Sequence, residues 1–182
     1  ILSIDTFRSS VAKETVQLGA AIINDISGGN MDSNMFATVA EVQVPYILMH
    51  MLGTPQNMQQ NPVYKNVTQE IISFFADKIF KLHQLKVNDV LIDVGFGFGK
   101  TIAHNFEILK NLALFKSLEA PILAGVSRKS MLYKTLGVSA NEALNATTSA
   151  NTIALLNGAN ILRVHDVKEA VEAIKIVQQL KP

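Results

Sequence analysis

The segment Val90-Leu91-Ile92-Asp93 is short, apolar and rich in β-branched residues, a pattern typical of a buried strand, and it ends in a carboxylate. A glycine-rich loop follows at residues 93–101, and a segment of helical period occupies residues 106–115. This part of the chain therefore predicts one β-then-α unit.

The same order, a short apolar run and then a longer segment of helical period, occurs six times along the chain. The other predicted strands span residues 1–5, 21–25, 45–50, 122–124 and 161–164. The other predicted helices span residues 10–18, 34–41, 68–85, 129–156 with a break around Gly137, and 167–180. Because no two strands follow each other as a hairpin, the pattern predicts a parallel sheet in an α/β fold.

Two architectures contain such a sheet, an open doubly wound sheet and a closed (β/α)8 TIM barrel. A barrel of about 250 residues averages about 31 residues per unit, so six units would occupy about 187 residues. The 182 residues of the chain are close to that length, although a doubly wound sheet of this size also exists. We predict three quarters of a barrel. No linker, charge block or low-complexity tract divides it, so residues 1–182 should form a single domain.

Composition limits the class of protein. The chain has 16 basic and 15 acidic side chains and no cysteine, and 48% of its residues are hydrophobic. The near-zero net charge argues against a polybasic nucleic-acid-binding protein, and the absence of cysteine excludes disulfides and thiolate catalysis. The apolar runs are far shorter than the roughly 20 residues that span a bilayer. We therefore expect a cytoplasmic globular protein with no nucleic-acid or membrane partner.

Polar side chains recur at the carboxyl ends of the predicted strands. They are Asp5, Asn24, His50, Asp93, Ser127 with Lys129, and Arg163 with His165. Any one of them could be a helix cap or a loop hydrogen bond. Six consecutive units with a polar group at the same end predict one shared site, because catalytic loops converge at that end of a barrel.

The loop at residues 93–101 resembles a phosphate-binding loop, but it fits neither known pattern. A Walker A loop would need a glycine five residues before Gly99, where the chain has Val94. The glycines follow G-x-G-x-G spacing, whereas a dinucleotide-binding loop needs G-x-G-x-x-G. We therefore predict a loop with positive φ angles that presents two aromatic rings beside an acid.

The segment Arg163-Val164-His165-Asp166 is suited to an anion. Arg163 and His165 alternate along the strand end and should project to the same side. Asp166 and Glu169 have the spacing of an N-cap and N3 pair, which predicts a helix start with free N–H groups nearby. Barrels often bind phosphate at their last strands.

The two carboxylates, Asp5 and Asp93, could form a general acid/base pair or a magnesium site. Asn24 lies between them in strand order and favours a different interpretation. Carboxylates and an amide together form in-plane hydrogen bonds that suit a nitrogen-rich heterocycle. We assign no metal ligand in this chain, and His50 is expected to be part of the pocket wall or a hydrogen-bonded supporting group.

With these segments in view, the sequence resembles the dihydropteroate synthase family. The matching segments are Ser3-Ile4-Asp5-Thr6, Ile23-Asn24-Asp25-Ile26, Leu48-Met49-His50-Met51 with Gly53-Thr54-Pro55, residues 93–101, Gly125-Val126-Ser127-Arg128-Lys129-Ser130, and Leu162-Arg163-Val164-His165-Asp166. The resemblance implies a (β/α)8 barrel, with the family's first two βα units expected to be absent from this chain. It also implies condensation of 6-hydroxymethyl-7,8-dihydropterin pyrophosphate with p-aminobenzoate, giving 7,8-dihydropteroate and pyrophosphate in folate biosynthesis.

The resemblance implies roles for named residues as well. The pterin would contact Asp5, Asn24, Met49, Asp93, Lys129 and Arg163. p-Aminobenzoate would contact Phe98, Lys129 and Ser130, and pyrophosphate would contact Arg163 and His165. Asp93, Lys129 and Arg163 would carry catalysis. Mg²⁺ would accompany pyrophosphate, and the family's protein ligand for it lies in the units expected to be absent. The family further implies a homodimer and a sulfonamide target.

Two other functions remain open from the sequence. A pterin-binding methyltransferase domain has the same barrel and a similar pocket, but it needs no pyrophosphate site. A non-catalytic fragment would keep pterin binding without turnover.

Overall fold

The computed structural model describes residues 1–180, and six strands in it form one parallel sheet. The strands are β1 Ser3–Asp5, β2 Ile22–Asp25, β3 Tyr46–Met49, β4 Val90–Asp93, β5 Ile122–Ala124 and β6 Ile161–Leu162. Each predicted strand is present, with its ends within two residues of the predicted ones. The predicted domain, residues 1–182, includes Lys181 and Pro182, which lie outside the described residues.

Each strand is followed by helical structure. The helices are α1 Ser9–Gln17, α2 Met35–Val42, α3 Val67–Gln84, α4 Ile102–Lys110, α5 Ser130–Leu136, α6 Leu144–Leu156 and α7 Val167–Gln178, with 3₁₀ turns at Leu112–Leu118 and Ala140–Glu142. The helical region predicted over residues 129–156 is broken after Leu136 by Gly137 in a left-handed conformation, as expected.

The predicted helix 106–115 has the wrong bounds. It begins four residues earlier because Thr101 caps it. The Thr101 hydroxyl accepts the N–H of His104 at 3.1 Å, and the His104 ring accepts the N–H of Thr101 at 3.3 Å. This reciprocal pair satisfies two N–H groups at the start of the helix. Beyond Lys110 the backbone tightens into a 3₁₀ turn.

The order of the strands decides between the two predicted architectures. The strands lie side by side in sequence order, β1 to β6, with no reversal. A doubly wound sheet needs a reversal of strand order, whereas crossovers of one hand with no reversal place every helix on the same face. The core lies between the sheet and these helices and includes Ile92 of β4, Ile71 and Phe75 of α3, and Phe115. The doubly wound alternative is therefore wrong, and the fold is a parallel α/β sheet of the barrel type.

The sheet is curled. Arg163, directly after β6, forms an ion pair with Asp5 of β1 at 2.7 Å, although these strands are at opposite ends of the strand order. The concave face encloses a cavity of about 440 Å³. Its wall includes Ile22, Ile47 and Leu123, one side chain from each of three strands. The curl brings the carboxyl ends of all six strands around one opening.

Candidate functional site

The polar residues predicted at the strand ends lie at one edge of the sheet. Asp5 of β1 is level with Asn24 of β2, and Met49 of β3 is level with Asp93 of β4. These residues are register partners in the parallel sheet, so they lie next to each other on neighbouring strands. The prediction of one shared location for these residues is confirmed.

Asp5, Asn24 and Arg163 form a hydrogen-bonded row across the opening. The Asn24 amide donates to Asp5 Oδ1 at 2.7 Å, and Arg163 Nη2 donates to Asp5 Oδ2 at 2.7 Å. Because Asp5 can only accept, the Asn24 amide must direct its nitrogen there, which leaves its oxygen pointing elsewhere. Asn24 is 5% exposed, and its Oδ1 has no hydrogen-bond partner. A buried acceptor without a partner is costly, so this atom is placed to receive a ligand N–H.

Asp93 is a buried carboxylate at the end of β4. Its Oδ1 accepts the N–H of Gly95 at 2.8 Å. Burial raises the pKa of Asp93 above its ordinary value, and the Gly95 N–H and the charges of Lys129, Lys100 and Arg163 oppose that rise. The cations around it favour the ionised form, which can accept further hydrogen bonds from a ligand.

The glycine loop, residues 95–99, has the conformation that its composition predicts. Gly95, Gly97 and Gly99 have φ angles of 68°, 82° and 63°, which glycine adopts without strain. Asn105 of α4 holds the loop in place, because its Oδ1 accepts the backbone N–H of Gly97 at 2.7 Å. Phe98 is held at the tip of the loop, half-buried.

Lys129 reaches the same opening from the end of β5. Its Nζ lies 4.6 Å from the centroid of the Phe98 ring, a cation–π distance. Burial lowers the pKa of Lys129, and the Asp93 charge opposes that shift. The Phe98 ring and the charge of Asp93 therefore both stabilise the charge of the ammonium group.

A second cavity, of about 320 Å³, adjoins the first. Ser127, Lys129, Arg163 and His165 contribute to its wall. Ser127 Oγ lies 2.9 Å from the ring atom Nδ1 of His165 and accepts the backbone N–H of the same residue at 3.2 Å. Arg163 also contributes to the wall of the 440 Å³ cavity, so one guanidinium connects the two spaces. Arg163 and His165 both line the second cavity, as does Val164 between them, so the projection of the two side chains to the same side stays a prediction.

The predicted capping role of Asp166 is wrong. Helix α7 begins at Val167 as expected, but the Asp166 side chain forms no cap. Its two oxygens accept from Arg128 Nε at 2.9 Å and Nη2 at 2.8 Å. A paired guanidinium fork is a stronger donor than a backbone N–H, so Asp166 instead joins the loops after β5 and β6. Arg128 lies in the segment Gly125–Ser130, but no sequence pattern there indicates that it pairs with Asp166.

Lys100 has no predicted role, yet the structure buries it to 3% exposure. Its Nζ lies 2.9 Å from the carbonyl oxygen of Phe98, 3.0 Å from that of Gly95 and 3.0 Å from His50 Nδ1. His50 is thus a hydrogen-bonded supporting group, as expected. The available signal in the sequence is a lysine directly after a glycine loop, in a segment that does not fit the Walker A pattern.

Several predicted contacts are not shown by the side-chain geometry. Met49 and Asp93 are buried next to each other, and Phe98 and Ser130 are half-buried. None of these four residues contributes to the wall of the two cavities. Their ligand roles stay predictions. Over residues 1–180, no group of three or more His, Cys, Asp or Glu is placed to hold a metal ion. No helix in that range is both long and apolar enough to cross a membrane.

Comparisons with known proteins agree with this geometry. Residues 1–165 match the model of a family described as pterin binding enzyme. The chain is 40% identical over 179 residues to a dihydropteroate synthase of Escherichia coli strain K12, covering 97% of this chain and 63% of that protein.

Two solved structures show the same likeness. The structure is similar to Yersinia pestis dihydropteroate synthase in complex with a sulfonamide drug, with a TM-score of 0.94, 39% identity, and coverage of 98% of this chain and 66% of that one. It is also similar to Xanthomonas albilineans dihydropteroate synthase in complex with 7,8-dihydropteroate, with a TM-score of 0.90, 34% identity, and coverage of 98% and 68%. The chain thus spans less than two thirds of the Escherichia coli relative.

Proposed function

Because the chain belongs to the family of pterin-binding enzymes, we propose that it acts as a dihydropteroate synthase. The reaction joins 6-hydroxymethyl-7,8-dihydropterin pyrophosphate to p-aminobenzoate and releases pyrophosphate. One observation carries the proposal. Arg163 connects a cavity that contains the open Asn24 acceptor to a second cavity walled by Lys129 and His165. A substrate made of a heterocycle joined to a diphosphate has the matching distribution of groups.

The heterocycle would bind through its 2-aminopyrimidinone edge. That edge presents N–H groups, and the structure offers Asn24 Oδ1, which has no hydrogen-bond partner, and the Asp93 carboxylate, whose Oδ1 accepts the Gly95 N–H. A hydrogen bond to the ionised Asp93 would be charge-assisted and therefore stronger than a neutral one. Asp5 would contribute to the same edge, because each of its oxygens accepts one hydrogen bond, from Asn24 or Arg163, and has a second lone pair.

The diphosphate would occupy the second cavity. Lys129 and Arg163 supply positive charge there, and the His165 ring is held by Ser127. The ion pair of Arg163 with Asp5 is half-exposed, so it contributes little stability and can be exchanged for a phosphate contact. As the C–O bond to pyrophosphate breaks, its electron pair moves to the leaving oxygen. The cations stabilise the charge that develops there.

p-Aminobenzoate would bind beside Phe98, with Lys129 against the ring and Ser130 close by. The lone pair of its neutral amine forms the new C–N bond to the methylene carbon, and the amine then loses a proton. No side chain needs to remove that proton first, because the free amine is already nucleophilic. The role of Lys129 is to hold the aromatic ring of the amine and to balance the charge of Asp93.

Magnesium does not fit the side chains of the second cavity. Ser127, Lys129, Arg163 and His165 offer mainly cations and N–H groups, and the nearby Asp5 supplies a single carboxylate. Mg²⁺ prefers several oxygen ligands in octahedral geometry. We propose that Mg²⁺ enters only as a complex with the diphosphate, and no step above depends on it.

The curled sheet supports a closed eight-stranded barrel in which two further βα units complete the ring. These units are part of the proposal. The homodimer and the cytoplasmic location stay predictions that rest on the resemblance.

The alternative functions differ in what they require of the second cavity. A pterin-binding methyltransferase has no use for a cationic pocket beside the pterin, so the grouping of Lys129, Arg163 and His165 favours the synthase. A non-catalytic pterin-binding module would bind the heterocycle but would not release pyrophosphate.

The test is to incubate the purified chain with the pterin pyrophosphate and p-aminobenzoate and to measure dihydropteroate and pyrophosphate together. Equal amounts of both products support the proposal. Calorimetry with 6-hydroxymethylpterin and with pyrophosphate should accompany the assay. Pterin binding without pyrophosphate binding would favour the methyltransferase, and binding of both without turnover would favour the non-catalytic module.

A further inference from the structure

Lys100 is a buried cation that the proposed reaction does not use. The residue is 3% exposed, and its ammonium group is surrounded by hydrogen-bond acceptors from two loops. Phe98 and Gly95 contribute carbonyl oxygens at 2.9 and 3.0 Å, and His50 contributes its Nδ1 at 3.0 Å and its carbonyl oxygen at 3.3 Å. An ammonium group has three N–H donors, so the acceptors saturate it.

These contacts fasten the glycine loop, residues 95–99, to the end of β3. The loop lies so close to that strand end that a Cβ on Gly95 would stand 2.0 Å from the carbonyl oxygen of His50. Lys100 bridges the two segments, because its Nζ donates to the carbonyl oxygens of Gly95 and Phe98 on one side and contacts His50 on the other. The same loop supplies the Gly95 N–H that binds Asp93 and the Phe98 ring that faces Lys129.

The charge of Lys100 also acts on the site. Three titratable groups surround it: Asp93 from β4, His50 from the end of β3 and Lys129 from the loop after β5. Burial lowers the pKa of Lys100 to about 7, the charge of Asp93 opposes that shift, and the charge of Lys129 adds to it. His50 stays neutral near that pH, because burial lowers its pKa to about 3. The cation of Lys100 therefore depends mainly on Asp93, and Asp93 in turn gains from the cation.

We propose that Lys100 is a positioning residue of the pterin site: its ammonium group holds the glycine loop on His50 and keeps Asp93 ionised, so that loss of its charge weakens pterin binding. This inference rests on the proposed function. Lys100 acts through Asp93 and Phe98 and does not itself contact the ligand.

The test compares calorimetric affinities for 6-hydroxymethylpterin between the wild type and Lys100→Met. At about pH 6, loss of one charged contact predicts an affinity about tenfold weaker in the variant. At about pH 8.5 the wild type has itself lost most of the charge, so the ratio of the two affinities should fall towards one. Using the ratio cancels any ionisation of the pterin. Lys110→Met, at an exposed position on α4, is the control and should match the wild type at both values of pH.

Lys100→Gln provides a second variant that keeps a hydrogen-bond donor without the charge, in case the methionine variant does not fold. A purely structural lysine would give a ratio that is the same at both values of pH, and that result would overturn the inference while leaving pterin binding by the wild type intact. No pterin binding by the wild type would overturn the proposed function and this inference together.

Discussion

Replacing Asp93 by asparagine is expected to weaken pterin binding by one to two orders of magnitude. In the folded protein, Asp93 Oδ1 accepts the N–H of Gly95 at 2.8 Å. An asparagine would keep its own oxygen on that N–H, because its NH₂ group cannot accept. The NH₂ group would then face the pocket, where the pterin presents N–H groups of its own.

The magnitude follows from the bond that is lost. A hydrogen bond to a charged group contributes about 1.5–3 kcal/mol, and about 1.4 kcal/mol corresponds to a factor of ten in affinity. Calorimetry with 6-hydroxymethylpterin on the wild type and on Asp93→Asn measures the change directly. Thermal melting by circular dichroism should accompany it, to show that both proteins are folded.

A matched control is available on the same strand. Asp89 is exposed and directly precedes β4, at the opposite end of the strand from the site. Asp89→Asn should therefore bind the pterin as the wild type does. An Asp93→Asn protein with wild-type affinity would refute the assignment of Asp93 to the pocket, and equal losses in both variants would show that the effect is not local.

Three further predictions test other parts of the structure. The double variant Arg163→Ala with His165→Ala should abolish pyrophosphate binding in calorimetry while retaining much of the affinity for a simple pterin. Equal loss of binding for both ligands would contradict the assignment of the two ligands to separate, adjoining cavities. Gly95→Ala should lower the free energy of unfolding in urea by well over the roughly 1 kcal/mol that a positive φ costs, because the new Cβ would lie 2.0 Å from the His50 carbonyl oxygen. Gly137→Ala is the control: Gly137 has a φ of 67° and no atom within 4 Å of a Cβ, so this variant should show the φ cost alone. Similar losses in both variants would mean that the loop moves away freely. The pKa of His50 is lowered to about 3, so the protein should be destabilised as the pH falls below the ordinary pKa of histidine, by about 1.5 kcal/mol between pH 6.5 and 5. His50→Asn should remove this pH dependence of the free energy of unfolding. An NMR titration in which the His50 ring gains its proton above pH 5 would contradict the prediction.

The element pattern of this protein could be predicted from the sequence. Strands such as Val90–Asp93 are indicated by short continuous apolar runs, and helices such as Val67–Gln84 by an apolar period of 3.6 residues; both are local properties. The same is true of the positive φ angles in the glycine loop, since they follow from residue type. Where local capping competes with periodicity, as at Thr101, the predicted bounds of α4 were wrong.

The choice of architecture needed more than local pattern. Six β-then-α units agree with a barrel sheet and with a doubly wound sheet, because both alternate strands and helices in the same way. The strand order, which has no reversal, decided the question. That order is a property of how crossovers pack on the sheet, and no residue encodes it alone.

The candidate site divides in the same manner. The residues at the strand ends could be read from the chain, because a strand that ends in Asp5 or Asp93 must place that side chain at the carboxyl edge. Their partners depend on the three-dimensional arrangement: Asp5 pairs with Arg163, 158 positions away, Asp166 with Arg128, and Lys100 with His50. The physical reason is that a hydrogen bond depends on distance and direction to within fractions of an ångström, and these are set by register, sheet curl and loop packing between segments that are remote in the chain.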